Sequence, residues 1–211
     1  MASNFETIFD AWLQDLSSEE KRVLKEQHCD VLLSLRLVRL DPNFLRAVSR
    51  FWYPNTHTFN FRDDEIIPLP EELAAIVNWP MDCPPCIPNL SEYYYGDFER
   101  FLGLDNRAIR HIVHGQEVNL IALIHHFRGM GHIALAYRRR ALVFCLFCRF
   151  LFVNGMANFG NAAVIKIVEQ CEVGKTPMPL CSGELMLSLD TLKNNPGGMI
   201  RGCPHLLQVI Y

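Results

Sequence analysis

Apolar residues recur at three- and four-residue spacing through the first forty positions. Phe5, Ile8, Phe9, Trp12 and Leu16 form one stripe, the mark of an amphipathic helix. Ser17 and Glu20 have capping-box spacing, in which hydroxyl and carboxylate each satisfy an orphan backbone donor. Val23, Leu24, Val31, Leu32 and Leu35 carry the pattern on, with a break near Cys29-Asp30. Asp41-Pro42 is a second start signal, Asp as N-cap and Pro at the first helical position. Phe44, Leu45, Val48, Phe51 and Trp52 make the apolar face that follows.

The period changes at Tyr53-Pro54. His57, Phe59 and Phe61 alternate with Thr58 and Asn60, Arg62-Asp63-Asp64 is a turn, and Glu65-Ile66-Ile67 is a return strand stopped by Pro68. A small hairpin is therefore expected over residues 57–67. Pro70-Glu71-Glu72 opens another helix, its two carboxylates facing the positive end of the dipole. Residues 80–90 hold four prolines and read as a loop, either a boundary or a mobile segment. Helical patterns resume over 93–102, 107–113, 118–127, 133–153, 161–171, 176–192 and 203–211, with a turn at Asn195-Pro196-Gly197-Gly198. The expected fold is mainly α, a multi-helix globular domain with one β-hairpin. It comprises an N-terminal helical segment (1–40) and a helical domain (41–211).

Composition narrows the function classes. The chain has 211 residues, half apolar and a fifth charged, with 20 basic and 23 acidic side chains. A net charge of −3 offers no global attraction to nucleic acid or anionic lipid. No basic-then-apolar leader follows Met1, which argues against secretion. The most apolar run, Ala141 to Val153, falls short of the roughly 20 residues a bilayer needs and reads as a core helix. Eight cysteines in a reducing compartment are then expected to stay free thiols.

Candidate chemistry is sparse. Cys83/Cys86 and Cys145/Cys148 are C-x-x-C pairs, but the second lies in the most apolar helix and the first lacks a redox-motif context. His111, His114, His125 and His126 cluster with His132 near, a metal-dependent hydrolase reading with Glu117 as the only neighbouring acid. Arg138-Arg139-Arg140, flanked by Arg128 and Arg149, is the densest positive feature. Three consecutive helical arginines fan over about 200° and cannot share one face. They contact nucleic acid or pair with acids elsewhere, the Asp63-Asp64-Glu65 turn being one choice. Nucleophile elbows, phosphate loops, dinucleotide-binding glycine runs and zincin motifs are missing.

Several motifs together resemble the plant mobile domain family, in its transposon-associated branch similar to maintenance-of-meristems proteins. They are Phe51-Trp52-Tyr53-Pro54, Thr58-Phe59-Asn60-Phe61 and Glu65-Ile66-Ile67-Pro68-Leu69-Pro70-Glu71-Glu72. The apolar segment Phe144 to Asn158, Lys175-Thr176-Pro177-Met178-Pro179 and Ile200-Arg201-Gly202-Cys203-Pro204-His205-Leu206-Leu207 extend the resemblance over roughly residues 35–211. Leu69-Pro70 departs from the usual Thr before the Glu-Glu pair, and relatives run on beyond Tyr211, so a shortened copy is expected. The resemblance implies a helical, nuclear or cytoplasmic protein acting in transcriptional control or transposon silencing, partly through a phosphatase-like partner. It carries over no catalytic residue, metal or cofactor. Trp52, Pro54, Phe59, Phe61, Glu71 and Glu72 are its signature, read as structural.

Three functional expectations follow. The first is a non-enzymatic protein-interaction domain of transposon origin. Its surface would be the Cys83–Pro88 loop or an exposed apolar end at Leu206 to Tyr211, open to homo- or hetero-association. The second is a nucleic-acid-binding module using Arg128, Arg138, Arg139, Arg140 and Arg149, and the third the histidine-based hydrolase.

Overall fold

Where the sequence is apolar on every side, the chain is buried on every side. Ala141 to Cys148 are buried without a break, at the centre of the computed structural model. The structure describes residues 4–88, 91, 93–128, 135–156 and 158–210. Among them the chain is mainly helical, with twelve α-helices and two small three-stranded antiparallel sheets.

The N-terminal helices are α1 (Asn4–Gln14), α2 (Ser18–Glu26), α3 (Asp30–Leu35) and α4 (Pro42–Ser49). Both start signals act as read. The Ser17 hydroxyl accepts from the Glu20 N–H at 3.2 Å while the Glu20 carboxylate accepts from the Ser17 N–H at 2.8 Å. Asp41 Oδ1 caps α4 through the N–H groups of Asn43 and Phe44. This segment shares one core with the rest of the chain: Phe5, Trp12 and Leu24 belong to the same buried cluster as Phe98, Phe144 and Leu206.

The expected hairpin gains a strand. β1 (Trp52–Tyr53), β2 (Thr58–Phe61) and β3 (Asp64–Ile66) pair in that order, with Trp52 opposite Phe59 and Phe59 opposite Ile66. Trp52 is thus a strand residue rather than part of the preceding helical face, because α4 closes at Ser49. α5 (Pro70–Val77) follows, ended by Asn78 in the left-handed conformation. Then come α6 (Tyr95–Leu102) and α7 (Asn106–Ile112).

A second sheet straddles the ends of stretches read as helix: β4 (Val113–His114), β5 (Glu117–Asn119) and β6 (Phe159–Asn161). Strands of two or three residues show too little alternation to interrupt a helical period. Between β5 and β6 run α8 (Leu120–Arg128) and α9 (Leu135–Leu146), the latter continuing into a π-helical turn, Phe147–Leu151. The long core helix expected over 133–153 therefore changes hand-hold at Leu146, and its first two positions lie outside the described residues. α10 (Val164–Glu172), α11 (Met178–Asn194) and α12 (Pro204–Ile210) complete the chain.

Residues 80–88 are tied down rather than loose. The Cys86 N–H donates to the Thr176 carbonyl at 2.8 Å and the Thr176 N–H to the Pro84 carbonyl at 2.9 Å. The Gln170 side chain bonds both the N–H and the C=O of Ile87. The C-terminal segment is partly embedded: Leu206 and Leu207 are fully buried, which corrects the expectation of an exposed apolar end for these two, while Val209 is exposed and Tyr211 lies outside the described residues. The Gln208 side chain bonds the Asp41 N–H and the Arg39 carbonyl, clamping α12 against the entry to α4.

Two features of this end generate predictions. Gly202 has φ +73° and pairs with Val153, and a Cβ there would lie 2.9 Å from the Leu185 backbone nitrogen. Gly202→Ala is expected to destabilise the protein by roughly 2–3 kcal/mol in urea unfolding, from backbone strain and the clash together. His205 is buried against Phe150, with burial and then Arg149 holding its pKa down at about 4 against the opposing pull of Glu6. The unfolded chain takes up this proton near pH 6.5 and the fold resists it, so stability falls between about pH 6.5 and 4 by at most about 1.4 kcal/mol per unit. Unfolding of His205→Phe across that range is expected to show a flatter pH dependence.

Candidate functional site

The five arginines occupy a helical face and its surroundings, and each faces an acid. Arg138 and Glu20 are 7% and 6% exposed, with Nε 2.8 Å from Oε1. The approach is close but off the hydrogen-bond line, so charge holds the pair. Glu20 thereby performs two tasks, since its other oxygen closes the α2 capping box. Arg138 Nη2 also donates to the Asp15 carbonyl at 3.4 Å.

Arg140 Nε donates to both carboxylate oxygens of Glu172 at 3.0 Å, its Nη1 to the Phe101 carbonyl at 3.1 Å, and its guanidinium lies 4.5 Å from the centre of the Phe101 ring. Arg139 shares Glu172 at 3.5 Å. Arg128 binds Asp15 at 2.6 Å and Arg149 binds Glu6 at 2.8 Å. The partners are acids of α1, α2, α10 and the α1–α2 turn, not the exposed Asp63-Asp64-Glu65 turn. Each of the five arginines is thus paired within the chain, Arg138 in the interior and Arg128 at the surface.

The histidines are not gathered. His111, His114 and His125 are exposed, and His126 is half-buried edge-on to Phe127, where burial pushes its pKa down. His132 lies outside the described residues. Among the described residues no group of three or more His, Cys, Asp or Glu is placed to hold a metal ion. Nor is any described helix long and apolar enough to cross a membrane.

The motif residues sit at joints. Trp52 is buried against Phe59, and its indole N–H donates to Asp190 Oδ1 of α11 at 2.7 Å. His57 reaches the other Asp190 oxygen at 3.2 Å. Phe61 stacks on Phe59 and meets Phe51, and Pro54 is half-buried in the β1–β2 turn. Glu72 accepts from the Leu69 N–H at 3.3 Å, while Glu71 is exposed in the same first turn. The Ser182 hydroxyl of α11 donates to the Pro68 carbonyl at 2.8 Å. Most of these contacts close hairpin, α5 and α11 against one another.

All eight cysteines are free. Cys145 and Cys148 are core thiols whose pKa burial pushes well up. In the first C-x-x-C pair the two thiols part company: Cys83 donates to the Pro80 carbonyl, while Cys86 lies 3.7 Å from Cys171 of α10.

An open apolar groove of about 310 Å³ runs between α4, the 153–156 turn and the segment leading to α12. Leu40, Leu45, Val153, Met156, Met199 and Ile200 line it, with Met156 43% and Met199 62% exposed. Arg46 stands at its rim, exposed and without an ion pair among the described residues. Sequence periodicity missed this groove because its walls come from three segments, each short and individually unremarkable in pattern.

The buried pair yields a test. Arg138→Ala leaves Glu20 charged and unpartnered, and is expected to cost about 3–5 kcal/mol in chemical unfolding. The double replacement Arg138→Met with Glu20→Leu removes both charges and should recover most of that loss, leaving the cost of the capping box.

Comparison with family models, with curated proteins and with solved structures finds no match to this chain.

Proposed function

We propose that this chain is a non-enzymatic protein-interaction domain of transposon origin, serving nuclear transcriptional control or transposon silencing. The observation that carries the reading is the methionine-flanked groove. Methionine's flexible, polarisable side chain adapts to varied apolar partners, and exposed apolar surface at a concave site favours association. Its occupant is an apolar segment of a partner protein bearing a carboxylate, which the free Arg46 at the rim would meet. Internal pairing of Arg128, Arg138, Arg139, Arg140 and Arg149 weighs toward this reading over a nucleic-acid module. The resemblance to plant mobile domains supplies the transposon origin, the nuclear setting and a phosphatase-like partner.

The test compares wild type with Met156→Asp/Met199→Asp in affinity capture from plant nuclear extract, with nuclease treatment of half of each sample. Both substituted side chains are exposed, so unfolding midpoints should agree within about 0.5 kcal/mol. A protein lost from the variant, unaffected by nuclease, and binding purified wild type but not the variant is the expected result. Recovery that vanishes with nuclease and ignores the two substitutions would transfer the function to nucleic acid.

A further inference from the structure

A cavity of about 300 Å³ opens between α2, the proline-rich loop and the end of α10. Cys29, Cys83 and Cys171 line it, with Trp79 and Lys175. Behind its wall, 3.7 Å from Cys171 Sγ, stands Cys86 Sγ, 4% exposed as a residue. We infer that Cys86 and Cys171 are a peroxide-sensitive dithiol, which oxidation closes into a disulfide joining the proline-rich loop to α10.

The geometry is prepared on both sides. The loop is fixed by the paired backbones of Pro84, Cys86 and Thr176, and the side chain of Gln170, next to Cys171, grips Ile87, next to Cys86. The two sulfurs are held in contact, 3.7 Å apart against the roughly 2.05 Å of a disulfide. Hydrogen bonding from Cys171, aided by Lys175, holds the Cys86 thiol below the ordinary cysteine range despite its burial, so the pair readily carries one negative charge. Burial pushes the thiols of Cys145, Cys148 and Cys181 up instead, in Cys148 against a backbone hydrogen bond from Asn161.

The chemistry balances with hydrogen peroxide as oxidant. The Cys86 thiolate, its charge held by the Cys171 S–H, attacks one oxygen of a peroxide admitted from the cavity. An S–O bond forms, the O–O bond breaks, and hydroxide leaves to take a proton from solvent. Cys171 sulfur then attacks Cys86 sulfur; the S–S bond forms, the S–O bond breaks, and the Cys171 proton leaves with the hydroxyl as water. Two thiols and one peroxide become one disulfide and two waters.

The experiment exposes the folded full chain to equimolar hydrogen peroxide, blocks remaining thiols by alkylation after denaturation, and maps peptides before and after reduction. Loss of two titratable thiols of the eight, with one reducible cross-link between the Cys86 and Cys171 peptides, is expected. Cys83→Ser should keep the cross-link, and Cys171→Ser should abolish it and leave Cys86 as an overoxidised or mixed species. Circular dichroism confirms that each variant is folded. A Cys83–Cys171 or intermolecular cross-link, or eight intact thiols after peroxide has consumed an equal amount of free glutathione in the same buffer, overturns the assignment.

Discussion

The structure depends on where the arginine charge is placed. Arg138 is almost fully buried in α9, a position tolerable only because Glu20 arrives from α2 with its carboxylate. Glu20 is in turn immobilised by the capping box that starts α2. A local signal of four residues thus sets the orientation of a charge that locks the N-terminal helices onto the core. Arg128 on Asp15 and Arg149 on Glu6 repeat the device above and below, so α1 and α2 are fastened at three points. Phe5 and Phe9 fill the space between these fastenings, stacked at 5.3 Å.

The same economy governs the surface. Charge spent on buried pairs is withdrawn from solvent, and one open groove is apolar and adaptable: Met156, Met199 and Ile200 beside the guanidinium of Arg46. The motif residues point the other way. Trp52 on Asp190, Ser182 on Pro68, and Gly202 on the Leu185 backbone all gather around α11, which acts as a spine for the hairpin, α5 and α12. A pattern of residues built around such a spine identifies an architecture rather than a chemistry.

How much of this was legible followed from sequence distance. The caps at Ser17 and Asp41, the opening at Pro70 and the hairpin at Phe59–Phe61 are local, and each element formed as its residues dictate. The second sheet escaped because its strands are two or three residues long and border helices. Partners of the arginines could not be chosen, since Asp15 and Arg128 stand 113 positions apart and many acids were equally available. The Cys83-x-x-Cys86 spacing drew attention to the right loop and the wrong pair. The thiol that matters to Cys86 arrives from 85 positions away.

The π-helical turn at the end of α9 carries a last consequence. The Phe152 N–H reaches back five residues to the Phe147 carbonyl at 2.8 Å, so this turn accommodates one residue more than an α-helical one. Just beyond it, Val153 is fixed to Gly202 by two backbone hydrogen bonds. Here, then, is a reserve of contour length in the middle of the core. A chain shortened by one residue between Phe147 and Leu151 can rewind this turn as ordinary helix while the helix before it and the bridge after it keep their places. The side chains in between would turn by about 100° each, Arg149 among them. The toll of that deletion falls on the Glu6 fastening and not on the path of the chain.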